Sequence, residues 1–360
     1  MGTLFSPGGG PKFATDNQVG LDLSLSFKKA KEQTTVARIP REDLVSETQS
    51  GVYLCSMHTL PGTTKKLGGT DKGGRSFDHR RKWIIEQLEV QAELMAMDVV
   101  GYSVLPRTLT LLLRTRPDVA KGWSDAEVAR RYQAGLYSKV PFGEKRKTAP
   151  AEEVSVMLES RVEMRRARSR LSSLTWFVGQ LTESTARNCN REDENRGRFW
   201  EGRYHCLPLL DVQATAAAIG HVDLEPLIAG EATTLAGCKF SSAKLRSAPG
   251  KSGFLAPVTT GASKNKDLPN LLTVTDAELV KVLEWSSRQS RRFNDAALSD
   301  EIAAIFEKLK IRPAAWLVLV REFRDLFHRA AGNVDSLDKI RKKRGLQHLH
   351  GLAASRELFA

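Results

Sequence analysis

Apolar and polar positions alternate along LPRTLTLLLRT, residues 105–115, with a period of two. Thr108, Thr110 and Leu112 then share one face of a strand, and Leu109, Leu111 and Leu113 the other. The preceding run 98–105, DVVGYSVL, also reads as a strand, and Pro106 with Arg107 breaks the two apart into a hairpin. GVYLCSM (51–57) predicts a first strand. Residues 76–97 carry a helical stripe of Ile84, Leu88, Ala92 and Met95, with Ser76 placed to cap it. Ser124 and Asp125 open a short helix within 117–150, and a basic loop follows. Residues 151–190 read as two helices, the second with Leu171, Leu174, Val178 and Leu181 on its apolar face. A further strand is expected near 198–209, then an Ala-rich helix over 212–230. Thr275 and Glu278 form a capping box. Pro313 starts a helix with Trp316, Val320, Phe323 and Phe327 on one face, and Gly332 is expected to stop it. The order β-α-β-β-α-β predicts an α+β fold of antiparallel sheet and helices.

Composition adds boundaries. Residues 1–48 are Gly-, Lys- and Thr-rich without periodicity and read as a disordered basic tail. Residues 49–246 form the main domain, 247–270 a Ser/Gly/Lys/Pro linker, and 271–360 a helical C-terminal region, expected as a separate small bundle. No apolar run approaches the roughly 18 residues of a membrane span. The N-terminus has no apolar secretion core, which predicts a cytoplasmic protein. The four cysteines lie far apart without a C-x-x-C pair, so neither a zinc knuckle nor a disulfide frame is indicated.

The net charge of +13 favours an anionic partner, most simply nucleic acid. Arg196, Arg198 and Arg203 surround Phe199 and Trp200, the residue types that hold phosphates and stack bases. The competing reading makes the two aromatics core residues and Glu201–Arg203 a structural ion pair. Arg165 and Arg166 belong to a run of five arginines (161–170) spread around a helix, which suits either DNA contact or a solvated surface. His348 and His350 follow a basic run without a strand pattern, and no metal site is expected there. His205 reads as a strand histidine.

The segments SFDHRRKWI (76–84), GWSDAEVARRY (122–132), GRFWEGRY (197–204) and HVDLEPLIAG (221–230) resemble, in this order, the bacterial tyrosine transposases of the HUH class, in their REP-associated, insertion-sequence-like branch. The resemblance spans about residues 50–246, and PAAWLVLVREFRDLFHRAAGN resembles a C-terminal extension of a long subgroup. It implies a ferredoxin-like antiparallel sheet with helices, plus a helical extension. It also implies cleavage of single-stranded or hairpin DNA by a tyrosine, with Mg or Mn held by two histidines two residues apart on a strand.

The matching strand positions here are Thr108 and Thr110, and the tyrosine position on the helix before GRFWEGR is Ser184. Threonine hydroxyls are neutral and short and cannot replace two imidazoles, and serine is shorter than tyrosine by a ring. The expectation is therefore a DNA-binding protein of transposase type without cleavage activity and without a metal, its nucleic-acid contacts made by Arg196, Arg198, Trp200, Arg203, Arg165 and Arg166. Tyr132 and Tyr137 are the candidates for a substitute nucleophile. The alternatives are an active metal-dependent transposase with displaced ligands, and a fold reused for protein contact.

Overall fold

A computed structural model of the chain describes residues 45–46, 48–135, 148–248, 253–259, 270–289 and 298–359. Nearly all of the tail expected over 1–48, most of the 247–270 linker, and Tyr137 lie outside the described residues.

Four strands form one antiparallel sheet: β1 (Val52–His58), β2 (Met97–Val104), β3 (Thr108–Thr115) and β4 (His205–Leu209), in the order β2-β3-β1-β4. The hairpin between β2 and β3 is closed by the Leu105 N–H, which donates to the Thr108 carbonyl at 2.9 Å. Alternation on β3 partitions the core as the period of two requires. Leu109, Leu111 and Leu113 enter one apolar cluster together with Tyr53, Cys55 and Met57, while Leu112 and Leu54 enter another on the opposite face.

The first face is covered by α1 (Asp78–Leu94) and, further along the chain, α6 (Leu174–Glu192). Ile84 and Leu88 of α1 and Phe177, Val178 and Leu181 of α6 are buried there. Between them run α2 (Pro117–Gly122), α3 (Asp125–Ala134), α4 (Ala151–Leu158) and α5 (Arg161–Leu171). Ser124 caps α3 by accepting from the Glu127 N–H. The 151–190 stretch thus contains three helices rather than two. Ser160 and Ser173 are the caps that divide it, accepting from the Glu163 and Trp176 N–H groups. At α1 the expected cap differs: Phe77 is the N-cap, and the Ser76 hydroxyl accepts instead from the Asp78 N–H at 3.3 Å.

The second face carries α7 (Val212–Ile228), in which every residue from Ala214 to Leu227 is buried. A helix buried on all sides needs neighbours on all sides. The sheet supplies one wall. The others come from α9 (Asp276–Gln289), α10 (Asp300–Leu309) and α11 (Pro313–Leu326), which share one core with α7. The C-terminal helices are therefore continuous with the domain core, not a bundle of their own. Gly220 marks the crossing: a Cβ there would lie 2.6 Å from both Trp316 and Val320. The short α8 (Ser242–Arg246) docks on β2 through a buried triad, in which Asp223 of α7 accepts from the Ser242 hydroxyl and, at 2.8 Å, from the Arg246 guanidinium. In the 253–259 stretch, Leu255 and Val258 are buried and Leu255 bridges to Val99, so this part of the expected linker belongs to the core.

Helix α11 ends at Leu326, short of Gly332. Gly332 serves another purpose, since a Cβ there would stand 2.8 Å from the Asp211 carboxylate. That carboxylate caps α7 by accepting from the Ala214 N–H and also accepts from the Asn333 N–H. The chain then forms α12 (Val334–Lys343) and α13 (Leu352–Leu358). No described helix is long and apolar enough to cross a membrane.

Candidate nucleic-acid interface

The two threonines lie on the α7 face of the sheet. Thr110 is fully buried and its hydroxyl donates to Glu225 Oε1 of α7 at 3.2 Å. Thr108 is half-buried, and its Oγ1 lies 3.0 Å from Nδ1 of His58, its register partner on β1. Around them the sheet and helices gather further polar groups. His205 begins β4, opposite Ser56. Arg324 of α11 reaches to 3.8 Å from Glu225 Oε1. Burial and the Arg324 charge both hold the His58 imidazole below its ordinary pKa.

This arrangement does not fit the divalent ion that the resemblance implies. The Thr110 hydroxyl is committed to a carboxylate, Thr108 to an imidazole, and a guanidinium stands over the carboxylate. Among the described residues no three His, Cys, Asp or Glu side chains are grouped to hold a metal.

Ser184 is not beside the threonines. It sits half-buried on α6, which packs on the opposite face of the sheet through Leu181, Thr185 and Cys189. Tyr132 is buried, and its phenol oxygen receives a hydrogen bond from Arg170.

The segment 197–201 runs beside the end of β1. The Leu60 N–H donates to the Phe199 carbonyl at 2.9 Å and the Glu201 N–H to the His58 carbonyl at 2.8 Å. Phe199 is core, whereas Trp200 is half-buried, packed edge-on against Phe199 and held by its indole N–H on the Thr182 carbonyl at 2.9 Å. The loop is further fixed by the buried Lys65 ammonium, which donates to the Arg198 carbonyl at 2.6 Å and to Asn190 at 3.2 Å. On this rigid frame Arg196, Arg198 and Arg203 are exposed. Arg198 Nε donates to the Trp200 carbonyl at 2.7 Å. Arg196 and Arg203 make no ion pair with a described residue, so the expected alternative pairing of Glu201 with Arg203 is absent among these residues.

Arg165 and Arg166 lie elsewhere. Both are exposed on α5, and Arg166 pairs with Glu163 at 2.8 Å. Helix α5 leads into the N-terminus of α6, and the arginine loop follows its C-terminus. The 19 residues of α6 separate the two sets along the chain.

Several polar residues at this end of the sheet have roles that the sequence does not announce, although His79, Arg80 and Arg81 lie in the SFDHRRKWI segment that carries the resemblance. Arg80 is fully buried and pairs with Glu192 at 2.7 Å and with Asp193, while its Nη1 donates to the Lys66 carbonyl at 2.9 Å. His79 also meets Glu192, at 2.9 Å, and Arg81 meets Glu231 at the same distance. The SFDHRRKWI segment is thus a clamp between α1, the 60–76 loop and the end of α6. His58, Glu225 and Arg324 become neighbours only through strand register and the docking of α11.

No family model, no curated protein and no solved structure matches this chain.

Proposed function

We propose that this chain is a DNA-binding protein of tyrosine-transposase type without strand-cleavage chemistry, which holds single-stranded or hairpin DNA on the 196–203 loop. The observation that carries the reading is the set of three exposed arginines on a loop pinned by Lys65, Asn190 and the β1 backbone. The Arg198 guanidinium, held through Nε on the Trp200 carbonyl, loses less entropy on meeting a phosphate than a free side chain would. The +13 charge supplies long-range attraction to a polyanion. The β-α-β-β-α-β order with an antiparallel 2-3-1-4 sheet is compatible with the ferredoxin-like fold that the resemblance implies. The site favours binding over cleavage, since the positions of the two histidines are filled by engaged threonines and Ser184 lies across the sheet from them. In this reading the protein works in the cytoplasm.

The test is affinity for a hairpin or single-stranded oligonucleotide across a salt series. Each phosphate contact contributes a log–log slope of about 0.7 on single strands. Replacing Arg198 and Arg203 together by Ala should weaken binding and flatten the slope by about one unit or more. No covalent protein–DNA adduct should form with Mg or Mn. Unchanged affinity and slope would remove the loop from the interface, and an adduct on any tyrosine would overturn the inactive reading.

A further inference from the structure

Helices α4 and α5 are apolar on two sides, and the chain covers one of them. Met157, Met164, Ala167 and Leu171 turn inward and join the core on the first face of the sheet. Val156, Leu158 and Val162 turn outward and remain 69%, 42% and 58% exposed. They are three of the five large apolar side chains exposed among the described residues, gathered within seven consecutive positions where α4 ends and α5 begins. Single exposed apolar residues are ordinary, whereas a cluster of them marks a surface that is covered in use.

Charge surrounds this cluster in an inverted order. Glu152 stands four residues before Val156, and Arg165 and Arg166 stand three and four residues after Val162. At helical spacing each lies one turn beyond its valine on the same side. Glu159 and Arg161 flank Ser160 at the corner between the helices. All five charged residues are exposed. Glu152, Glu159, Arg161 and Arg165 make no ion pair with a described residue, and Arg166 pairs with Glu163. Along the chain the stretch runs acid, apolar, acid, base, apolar, base. Turned end for end it runs base, apolar, base, acid, apolar, acid, so every acid meets a base and every apolar residue an apolar one.

We propose that this corner is a twofold interface between two copies of the chain, with Val156 and Leu158 of one copy against Val162 of the other and Glu152 against Arg165. A twofold axis sets a surface against itself run backwards, and therefore requires a pattern of this self-complementary kind. Glu152 and Glu159 oppose a nucleic-acid strand at the same place, since each repels a phosphate. The interface is independent of nucleic-acid binding at the 196–203 loop, and it gives the exposed arginines of α5 a protein partner. The net charge of +13 works against association of two copies. At physiological salt that repulsion is screened beyond about 8 Å, whereas pairs in contact act inside this distance. The face is small, so the dissociation constant belongs on the order of micromolar.

The test is sedimentation equilibrium of the full chain at about 0.15 M salt, over roughly 2–200 µM protein. A reversible monomer–dimer equilibrium is expected. Val162→Glu places a charge in the apolar centre of both halves of the contact and should leave only monomer. Glu152→Arg alone and Arg165→Glu alone each set like charges across the axis and should weaken association about 10-fold or more. The double variant Glu152→Arg, Arg165→Glu restores opposite charges in exchanged positions and should return to within about threefold of the unmodified chain. All three positions are exposed, and circular dichroism checks that each variant is folded; should Val162→Glu not fold, the charge exchange decides alone. A chain that stays monomeric throughout, a dimer that Val162→Glu leaves intact, or single reversals that the double variant does not rescue would each overturn the interface.

Discussion

Thr108 and Thr110 differ more than two positions on one strand face usually do. Thr110 is sealed, its hydroxyl satisfied by Glu225, whereas Thr108 stands half-buried at the end of the strand beside His58. Enlarging the two side chains should therefore have unequal consequences. Thr110→His forces an imidazole into packed space and removes the donor to Glu225, at about 1–3 kcal/mol. Thr108→His adds volume at the boundary with solvent and should cost less than about 1 kcal/mol. Urea unfolding of the two single variants checks this, and equal losses would mean that the α7 face is looser at Thr110 than its burial implies. The double substitution, which would restore the two-histidine spacing on one side of the pleat, should bind divalent metal weakly at best in calorimetry, since Arg324 stands beside the carboxylate that would complete a site.

At the scale of elements, the helices and strands were largely legible because burial imposes its period on the sequence. The hairpin of β2 and β3 followed from alternation, and the capping box of Thr275 and Glu278 is present, with the Glu278 N–H donating to the Thr275 hydroxyl at 3.2 Å. Alternation also placed Thr108 and Thr110 on one face. What it could not give was the partner of that face. The pairing of His58 with Thr108 depends on the register of β1, and the approach of Arg324 depends on how α11 lies on α7, two long-range choices that leave no mark on local periodicity. The placement of Ser184 across the sheet was hidden for the same reason: its helix has a clear apolar stripe, but a stripe does not say which side of the sheet it covers. The clamp at Arg80 was also silent, because an arginine on a helix normally reads as solvated. Its guanidinium also lies 4.5 Å from the Phe77 ring centre. Arg80→Ala leaves Glu192 and Asp193 without their shared cation and should cost roughly 3 kcal/mol. Arg80→Lys should recover only part of this, since one ammonium cannot serve both carboxylates and the Lys66 carbonyl as a planar fork does. Denaturant midpoints of the two variants test the order.

Across the whole molecule, the question is whether the C-terminal helices fold with the sheet or beside it. Their core answers it. Trp316, Phe323 and Phe327 are completely buried in the cluster that contains Leu54, Leu112 and Leu207 of the sheet, with α7 between. Separating α9–α11 from α7 would expose a helix whose residues from Ala214 to Leu227 are all buried, so the two parts should unfold as one cooperative unit. Gly220 gives a direct test of the coupling. A methyl group there collides with the Trp316 ring and the Val320 side chain at 2.6 Å, and the helix backbones must move apart to admit it. Gly220→Ala should lower stability by about 1–3 kcal/mol through overpacking, well beyond the gain of roughly 0.5–1 kcal/mol that Ala brings to a helix interior. Because the core is shared, the loss should appear as a single thermal transition moved to lower temperature, seen alike by the near-ultraviolet signal of Trp316 and by exchange of the β3 amides. A second, earlier transition confined to the C-terminal helices would mean that α7 can release them without exposing its own apolar surface, against the continuity of the core around it.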